Sequence, residues 1–118
     1  YAESEPETRT MVNFTNNHDF RLVLAYHSQG QVIYWQYNAL TPPESRRIAE
    51  LFSEVSGYRL EETTGIASYS GYKDWFIQDH GKPGFTIEVG RGINPLPINQ
   101  FDQIYNENEE LLLLASVI

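Results

Sequence analysis

A three-layer α/β fold around a mixed sheet is what this sequence predicts, and three features predict it. Leu22-Val23-Leu24-Ala25-Tyr26, Val32-Ile33-Tyr34-Trp35 and Phe85-Thr86-Ile87-Glu88-Val89 are short apolar runs with strand composition. Segments with helical apolar spacing separate and flank them. Helix, strand, helix, strand, helix in that order calls for helices on both faces of a sheet. With no internal repeat and no linker composition, residues 1–118 read as one unit without an internal boundary.

The elements follow in order. Ser4-Glu5-Pro6-Glu7 has the form of a capping box, with Pro6 tolerated in a first turn. Met11, Phe14 and His18 follow at helical spacing, which predicts a helix from Pro6 to Asn17. Leu22 to Tyr26 is continuously apolar, as a strand buried on both faces would be. His27-Ser28-Gln29-Gly30 interrupts it before the strand Val32 to Trp35. Thr41-Pro42-Pro43-Glu44 repeats the capping pattern. Ile48, Leu51, Phe52 and Val55 then make an apolar stripe that Gly57 is placed to end. Leu60 to Gly71 is polar and rich in Thr, Ser, Gly and Tyr, and reads mostly as loop. A short helix around Trp75-Phe76-Ile77, a strand over Phe85 to Val89 and a long turn through Pro95-Leu96-Pro97 complete the middle. A last helix begins near Asn99, with Phe101, Ile104, Tyr105, Asn108, Leu111, Leu112 and Ala115 near one face.

Composition narrows the function. Lys and Arg number 8 against 16 Asp and Glu, a formal net charge of −8 over 118 residues. An acidic chain without a basic run is a poor partner for nucleic acid or anionic lipid, whose binding rests on neutralised phosphates. No apolar run approaches the about 20 residues of a membrane span. Cysteine is absent, so disulfides and zinc–thiolate sites are excluded and any metal must sit on His and carboxylates.

Two residues stand out. His27 follows a strand, and in open α/β sheets ligands collect beyond the carboxyl ends of strands. It reads as a ligand or catalyst, or as a satisfied strand-end histidine. Glu88 interrupts an apolar strand, where Glu is seldom left unpaired. With a period of two, Thr86 and Glu88 share one face and Phe85 and Ile87 the other. Glu88 is then a proton acceptor in a partly dry site, or an edge-strand residue in water. Lys73-Asp74, flanked by Tyr69 and Tyr72, lies in a Gly- and Tyr-rich stretch that reads as a pocket cover or as surface. His18 and His80, each beside an Asp, read as solvated surface residues. The chain contains no His-Glu-x-x-His, P-loop or Gly-x-Ser-x-Gly motif.

At these residues the sequence resembles a family. Tyr1 through Leu24-Ala25-Tyr26-His27-Ser28-Gln29, then Lys73-Asp74-Trp75, then Phe85-Thr86-Ile87-Glu88-Val89 resemble, in order, the second half of the zinc metallocarboxypeptidases. The Tyr-Lys-Asp-Trp-Phe and Asn-Pro-Leu-Pro-Ile wording is similar to the bacterial branch that cleaves γ-D-glutamyl–diamino-acid bonds, including diaminopimelate, in cell-wall peptides.

The resemblance implies a three-layer zinc-carboxypeptidase-like fold of which this chain is the C-terminal part, an expectation in keeping with its opening at Tyr1 rather than Met. It implies that His27 is the third zinc ligand and Glu88 the general base and acid. Ser28 lends backbone near the scissile bond. Thr86 and Asp74, with Lys73 before it, wall the pocket for the following residue. The family's covering tyrosine matches Tyr69 or Tyr72 only across a gap, because an ungapped match places Ile66 there. The His-x-x-Glu pair for the other two ligands is not in this sequence. The expected cofactor is therefore zinc in the intact parent, held weakly or not at all by the fragment, which is expected to be inactive. A non-catalytic peptide-binding module using the same cleft is the alternative. The expected partner is a peptide or peptidoglycan-derived substrate, with self-association through an exposed sheet edge. Envelope, secreted and cytoplasmic locations all fit. Lys73 is expected to favour a residue with an extra carboxylate, such as diaminopimelate, or else to extend into solvent.

Overall fold

The computed structural model of the chain describes residues 3–62 and 71–118. Helix α1 runs Pro6–Asn16, strand β1 Val23–Ser28, β2 Val32–Tyr34, helix α2 Ser45–Ser56 and β3 Arg59–Glu61. Helix α3 follows at Tyr72–His80, strand β4 at Gly84–Val89, and helix α4 at Phe101–Val117 after a 3₁₀ turn. The four strands form one mixed sheet in the order β1-β4-β2-β3. β1 is parallel to β4, β4 antiparallel to β2, and β2 parallel to β3.

Alternation along the strands divides the sheet into two faces. Phe85 and Ile87 of β4 and Ile33 of β2 point to one face, where they pack with Trp35, Ile48, Ala49, Phe52, Tyr58 and Leu111 under α2 and α4. Phe52 meets Phe85 edge-on with ring centroids 5.0 Å apart. Each such fully buried side chain contributes about 1.5–3 kcal/mol of transfer free energy. Helix α3 lies on the opposite face. A Cβ at Gly84 would stand 3.1 Å from the Lys73 carbonyl and 3.4 Å from Ile77 Cγ1, so glycine permits this close approach. Helix α1 joins that layer through Thr15 Oγ1 and Tyr72 Oη, 2.7 Å apart. The three-layer mixed α/β arrangement is therefore the observed one. Among the described residues no helix is long and apolar enough to cross a membrane.

Several local expectations are corrected. Ser4 does not cap α1. The N-cap is Glu5, without a side-chain bond, and the Ser4 carbonyl accepts from Arg9 Nη1 at 2.8 Å. Thr41 does not cap α2, which starts only at Ser45. Its hydroxyl accepts from the Tyr37 N–H (2.7 Å) and donates to the Asn38 carbonyl (3.1 Å), closing the preceding turn. Gly57 does end α2, at φ +79° with its N–H on the Ser53 carbonyl. β1 is not buried on both faces. It is an edge strand whose burial falls from Val23 to an exposed Tyr26, His27 and Ser28. Leu60 and Glu61, expected as the start of a loop, belong to β3. On α4, Phe101, Tyr105 and Leu112 are exposed, while Asn108 and Leu111 are buried. His80 is no free surface residue: its ring stacks on Phe76 (centroids 4.8 Å) and its Nε2 meets Asn16 Oδ1 at 2.9 Å.

Candidate functional site

The register of the sheet builds the site. His27 of β1 stands opposite Glu88 of β4, and Glu88 opposite Val32 of β2. One step along, Ala25, Thr86 and Tyr34 form the next row. Paired residues point to the same face, so His27, Glu88, Thr86 and Tyr34 share the face away from the core formed with α2 and α4. Strand β3 extends both rows, with Arg59 opposite Val32 and Glu61 opposite Tyr34. His27 and Glu88, far apart in sequence, thus become neighbours across one strand spacing of about 4.8 Å.

Glu88 is not an edge residue in water. β4 is central, and Glu88 Oε2 is buried without a hydrogen-bond partner among the described residues. Burial pushes its carboxyl above the usual glutamate range, and the charge of the His27 ring beside it pulls the other way. His27 is exposed at the end of β1, and its ring makes no hydrogen bond to a described residue. Tyr34 donates to Glu61 Oε2 at 3.4 Å. Burial first, then the Glu61 charge and hydrogen bond and the Glu88 charge, raise the Tyr34 hydroxyl, while Arg59 lowers it. Tyr34 thus stays a proton donor among carboxylates.

The other expected residues fall into distinct places. Ser28 Oγ donates to Asn94 Oδ1 (2.8 Å), and its carbonyl accepts from Asn94 Nδ2 (3.0 Å). Alternation puts its side chain on the face opposite Glu88. Lys73 and Asp74 open α3 and are both buried. Lys73 Nζ donates to the Gln36 carbonyl at 2.5 Å and stands 2.5 Å from Asp74 Oδ1. The latter is a close ion pair rather than an aligned hydrogen bond. Lys73 therefore does not extend into solvent. Tyr69 and Ile66 lie outside the described residues, whereas Tyr72 bonds Thr15.

A cavity of about 830 Å³ opens along β1 between α1 and α3. Met11, Ala25, Tyr26, Tyr72, Asp74 and Trp75 are among its walls. It includes Asp74 but neither Lys73, His27 nor Glu88, so this cavity and the His27–Glu88 row are adjoining features rather than one. Arg59 and Glu61 are absent from the sequence-predicted site, Glu61 because it falls in the stretch expected as loop and Arg59 because it falls in no predicted element. The alternation of apolar Tyr58 and Leu60 with charged Arg59 and Glu61 was the available signal.

Among the described residues no three His, Asp or Glu side chains gather as a metal-binding set. The donors present fit one corner of a catalytic zinc centre, which takes three protein ligands and keeps a fourth position open. Among the described residues the His27 ring has no hydrogen-bond partner, and Glu88 Oε2 beside it has none either.

Comparison with known proteins accords with this geometry. Residues 1–111 match the zinc carboxypeptidase family. The chain is 54% identical over 104 residues to gamma-D-glutamyl-L-diamino acid endopeptidase 1 of Lysinibacillus sphaericus, covering 88% of this chain and 26% of that protein. It is 41% identical over 112 residues to the uncharacterized protein YqgT of Bacillus subtilis strain 168, covering 95% of this chain and 30% of that protein. The chain thus spans less than a third of the length of either relative. With Glu88 on a central strand beside His27, and the family match running through both, the chain belongs to the zinc carboxypeptidase family.

Proposed function

We propose that this chain is the C-terminal part of one zinc peptidase domain and supplies the His27 and Glu88 side of its active centre. The proposed reaction is hydrolysis of the γ-D-glutamyl–diaminopimelate bond in peptidoglycan-derived peptides. The observation that carries it is Glu88, a carboxylate on a central strand with a buried unpartnered oxygen, one strand away from an exposed histidine. Similarity to an endopeptidase of γ-D-glutamyl-L-diamino acid bonds supports the choice of substrate.

His27 would hold the ion through its ring nitrogen, with the remaining ligands from a His-x-x-Glu pair outside these residues. Zinc, when bound, supplies a Lewis acid that polarises the scissile carbonyl and lowers the proton affinity of water. The protein's own work is proton transfer and positioning. Glu88 Oε2 accepts the proton of the attacking water and delivers it to the departing amine, and its raised proton affinity suits both halves of that task. Thr86 and Asp74 wall the pocket for the residue after the cleaved bond, and Lys73 holds Asp74 in place. The backbone at Ser28 contacts the substrate.

In the intact parent, Glu88→Gln lowers kcat/KM by about 10²–10⁴-fold, the usual worth of a general base, with zinc content unchanged. Retained activity would remove Glu88 from the mechanism. The 118-residue chain, dialysed against dilute chelator, is expected to retain no stoichiometric zinc, and stoichiometric zinc would show the ligand set to be wrong. A parent gene without a His-x-x-Glu segment would instead favour a peptide-binding module that uses the same cleft.

A further inference from the structure

Two charged side chains of opposite sign lie on the Glu88 face at its far end, and the reaction as derived above leaves them without a role. Arg59 and Glu61 flank Leu60 on β3, in the same register rows as Glu88 and Thr86. Arg59 Nη2 is 3.6 Å from Glu61 Oε2, and the two side chains are 61% and 46% exposed. Exposed pairs of this kind contribute little, so opening one costs little. Their places are nonetheless fixed. Arg59 Nη1 donates to the Gly30 carbonyl at 3.0 Å, and Glu61 takes the Tyr34 hydroxyl at 3.4 Å. Lys73 is buried on Gln36 and Asp74, whereas the Arg59 guanidinium, though it touches Gly30 and Glu61, lies mostly in solvent.

A simple anion approaching this end meets Glu61, and a simple cation meets Arg59. The group that satisfies both carries an ammonium and a carboxylate on one carbon. We propose that Arg59 and Glu61, with Tyr34 standing between Glu61 and Thr86, clamp the zwitterionic far end of the residue after the cleaved bond. The carboxylate sits on Arg59 and the ammonium on Glu61. The inference rests on the peptidase reading above and specifies which diamino acid it prefers.

The reach agrees. β3 is two strand spacings from β4, about 10 Å between backbones. The distal carbon of diaminopimelate lies four carbon–carbon bonds from its reacting end, about 5 Å when extended. The Arg59 and Glu61 side chains close the difference. Lysine, which ends in an ammonium without a carboxylate, reaches Glu61 and leaves Arg59 unmatched.

The test uses the intact zinc-loaded parent with γ-D-glutamyl-meso-diaminopimelate and γ-D-glutamyl-L-lysine. Arg59→Gln is expected to lower the ratio of the two kcat/KM values at least tenfold, through KM for the diaminopimelate substrate. Glu61→Gln is expected to raise KM for both substrates. Arg59→Lys keeps the charge but loses the fork, and retains part of the preference. A ratio that Arg59→Gln leaves within twofold, or equal losses on both substrates through kcat, would overturn the clamp. Should the wild-type parent cleave neither substrate, the peptidase reading fails first, and calorimetry with free meso-diaminopimelate decides the clamp. Binding weakened tenfold by Arg59→Gln upholds it, and absent or unaltered binding overturns it.

Discussion

Gly90 ties the two site strands together, and replacing it by alanine separates two physical costs. It follows β4 two residues after Glu88, and its carbonyl accepts from the Gly30 N–H at 2.9 Å, just beyond His27. Its φ is +78°, a region that costs an L side chain about 1–2 kcal/mol. A Cβ there would fall 2.2 Å from Leu96 Cδ1, 3.1 Å from Gln100 Oε1 and 3.3 Å from Ile104 Cδ1. Carbon atoms rest about 3.5–4.0 Å apart, so Leu96 must move by more than an ångström. Gln100, held at both ends of its amide by the Arg91 backbone, resists that shift. Overpacking of this kind costs about 1–3 kcal/mol more, giving about 2–5 kcal/mol for Gly90→Ala. Gly92, at φ +106° with nothing within 4 Å of its would-be Cβ, bears the backbone cost without the clash. Urea unfolding of the intact parent should therefore place Gly90→Ala well below Gly92→Ala in midpoint at equal m. Adding Leu96→Ala should recover part of the difference. Peptidase activity should fall with Gly90→Ala, because the Gly30 turn and the end of β4 shift together. Equal midpoints for the two glycine variants, or no recovery with Leu96→Ala, would refute the packing argument.

Two further outcomes follow from buried polar groups. Lys73→Met leaves Asp74 buried without its cation and should destabilise by about 3–5 kcal/mol, with Asp74→Asn restoring much of it; an equilibrium unfolding change under 1 kcal/mol would place the pair in solvent instead. Burial raises the Tyr26 hydroxyl to about 12, and burial followed by the Glu107 hydrogen bond raises Tyr58 further. Both exceed the unfolded value of about 10, so the stability they contribute is full below that pH and is lost as pH rises through the folded values. Urea midpoints should decline from about pH 10 upward, less steeply in Tyr58→Phe, and a flat profile would count against this burial.

The site was legible in the sequence where a residue broke its local pattern. Glu88 is conspicuous because Phe85, Ile87 and Val89 around it are apolar, and the structure gives that alternation its two faces. Period-two reasoning placed Thr86 and Glu88 together, but strand order is not written in any one strand. The apolar run at β1 suggested a central strand, yet β1 lies at the edge and β4 in the middle. Three-residue β3 was hidden for a related reason. It adds a strand by pairing with β2, through a tertiary contact, and Arg59 and Glu61 carry little intrinsic strand preference. The capping signals failed because Ser4 and Thr41 each stand before the true helix start, Thr41 closing the preceding turn and Ser4 meeting Arg9 through its carbonyl.

A connected polar network backs the site strands. On the α4 side, the Tyr26 hydroxyl donates to Asn108 Oδ1 (3.0 Å), and Asn108 Nδ2 donates to the Tyr58 hydroxyl (3.0 Å) and the Ile104 carbonyl (2.9 Å). Tyr58 in turn donates to Glu107 Oε1 at 2.8 Å, while Glu107 Oε2 receives Gln31 and Gln103 at 3.1 Å each. Arg91 Nε closes the chain on Gln31 Oε1 at 2.6 Å. This network anchors α4 to β1 and to the turn that follows His27, and a satisfied buried network of this kind fixes geometry. Across the sheet, Glu88 Oε2 has no such partner among the described residues. An unpaired buried oxygen costs about 1–3 kcal/mol, which a fold could avoid with any apolar residue at that position. The network thus holds in place the strand that carries His27, and the Glu88 oxygen without a described partner is the one the proposed proton transfer needs.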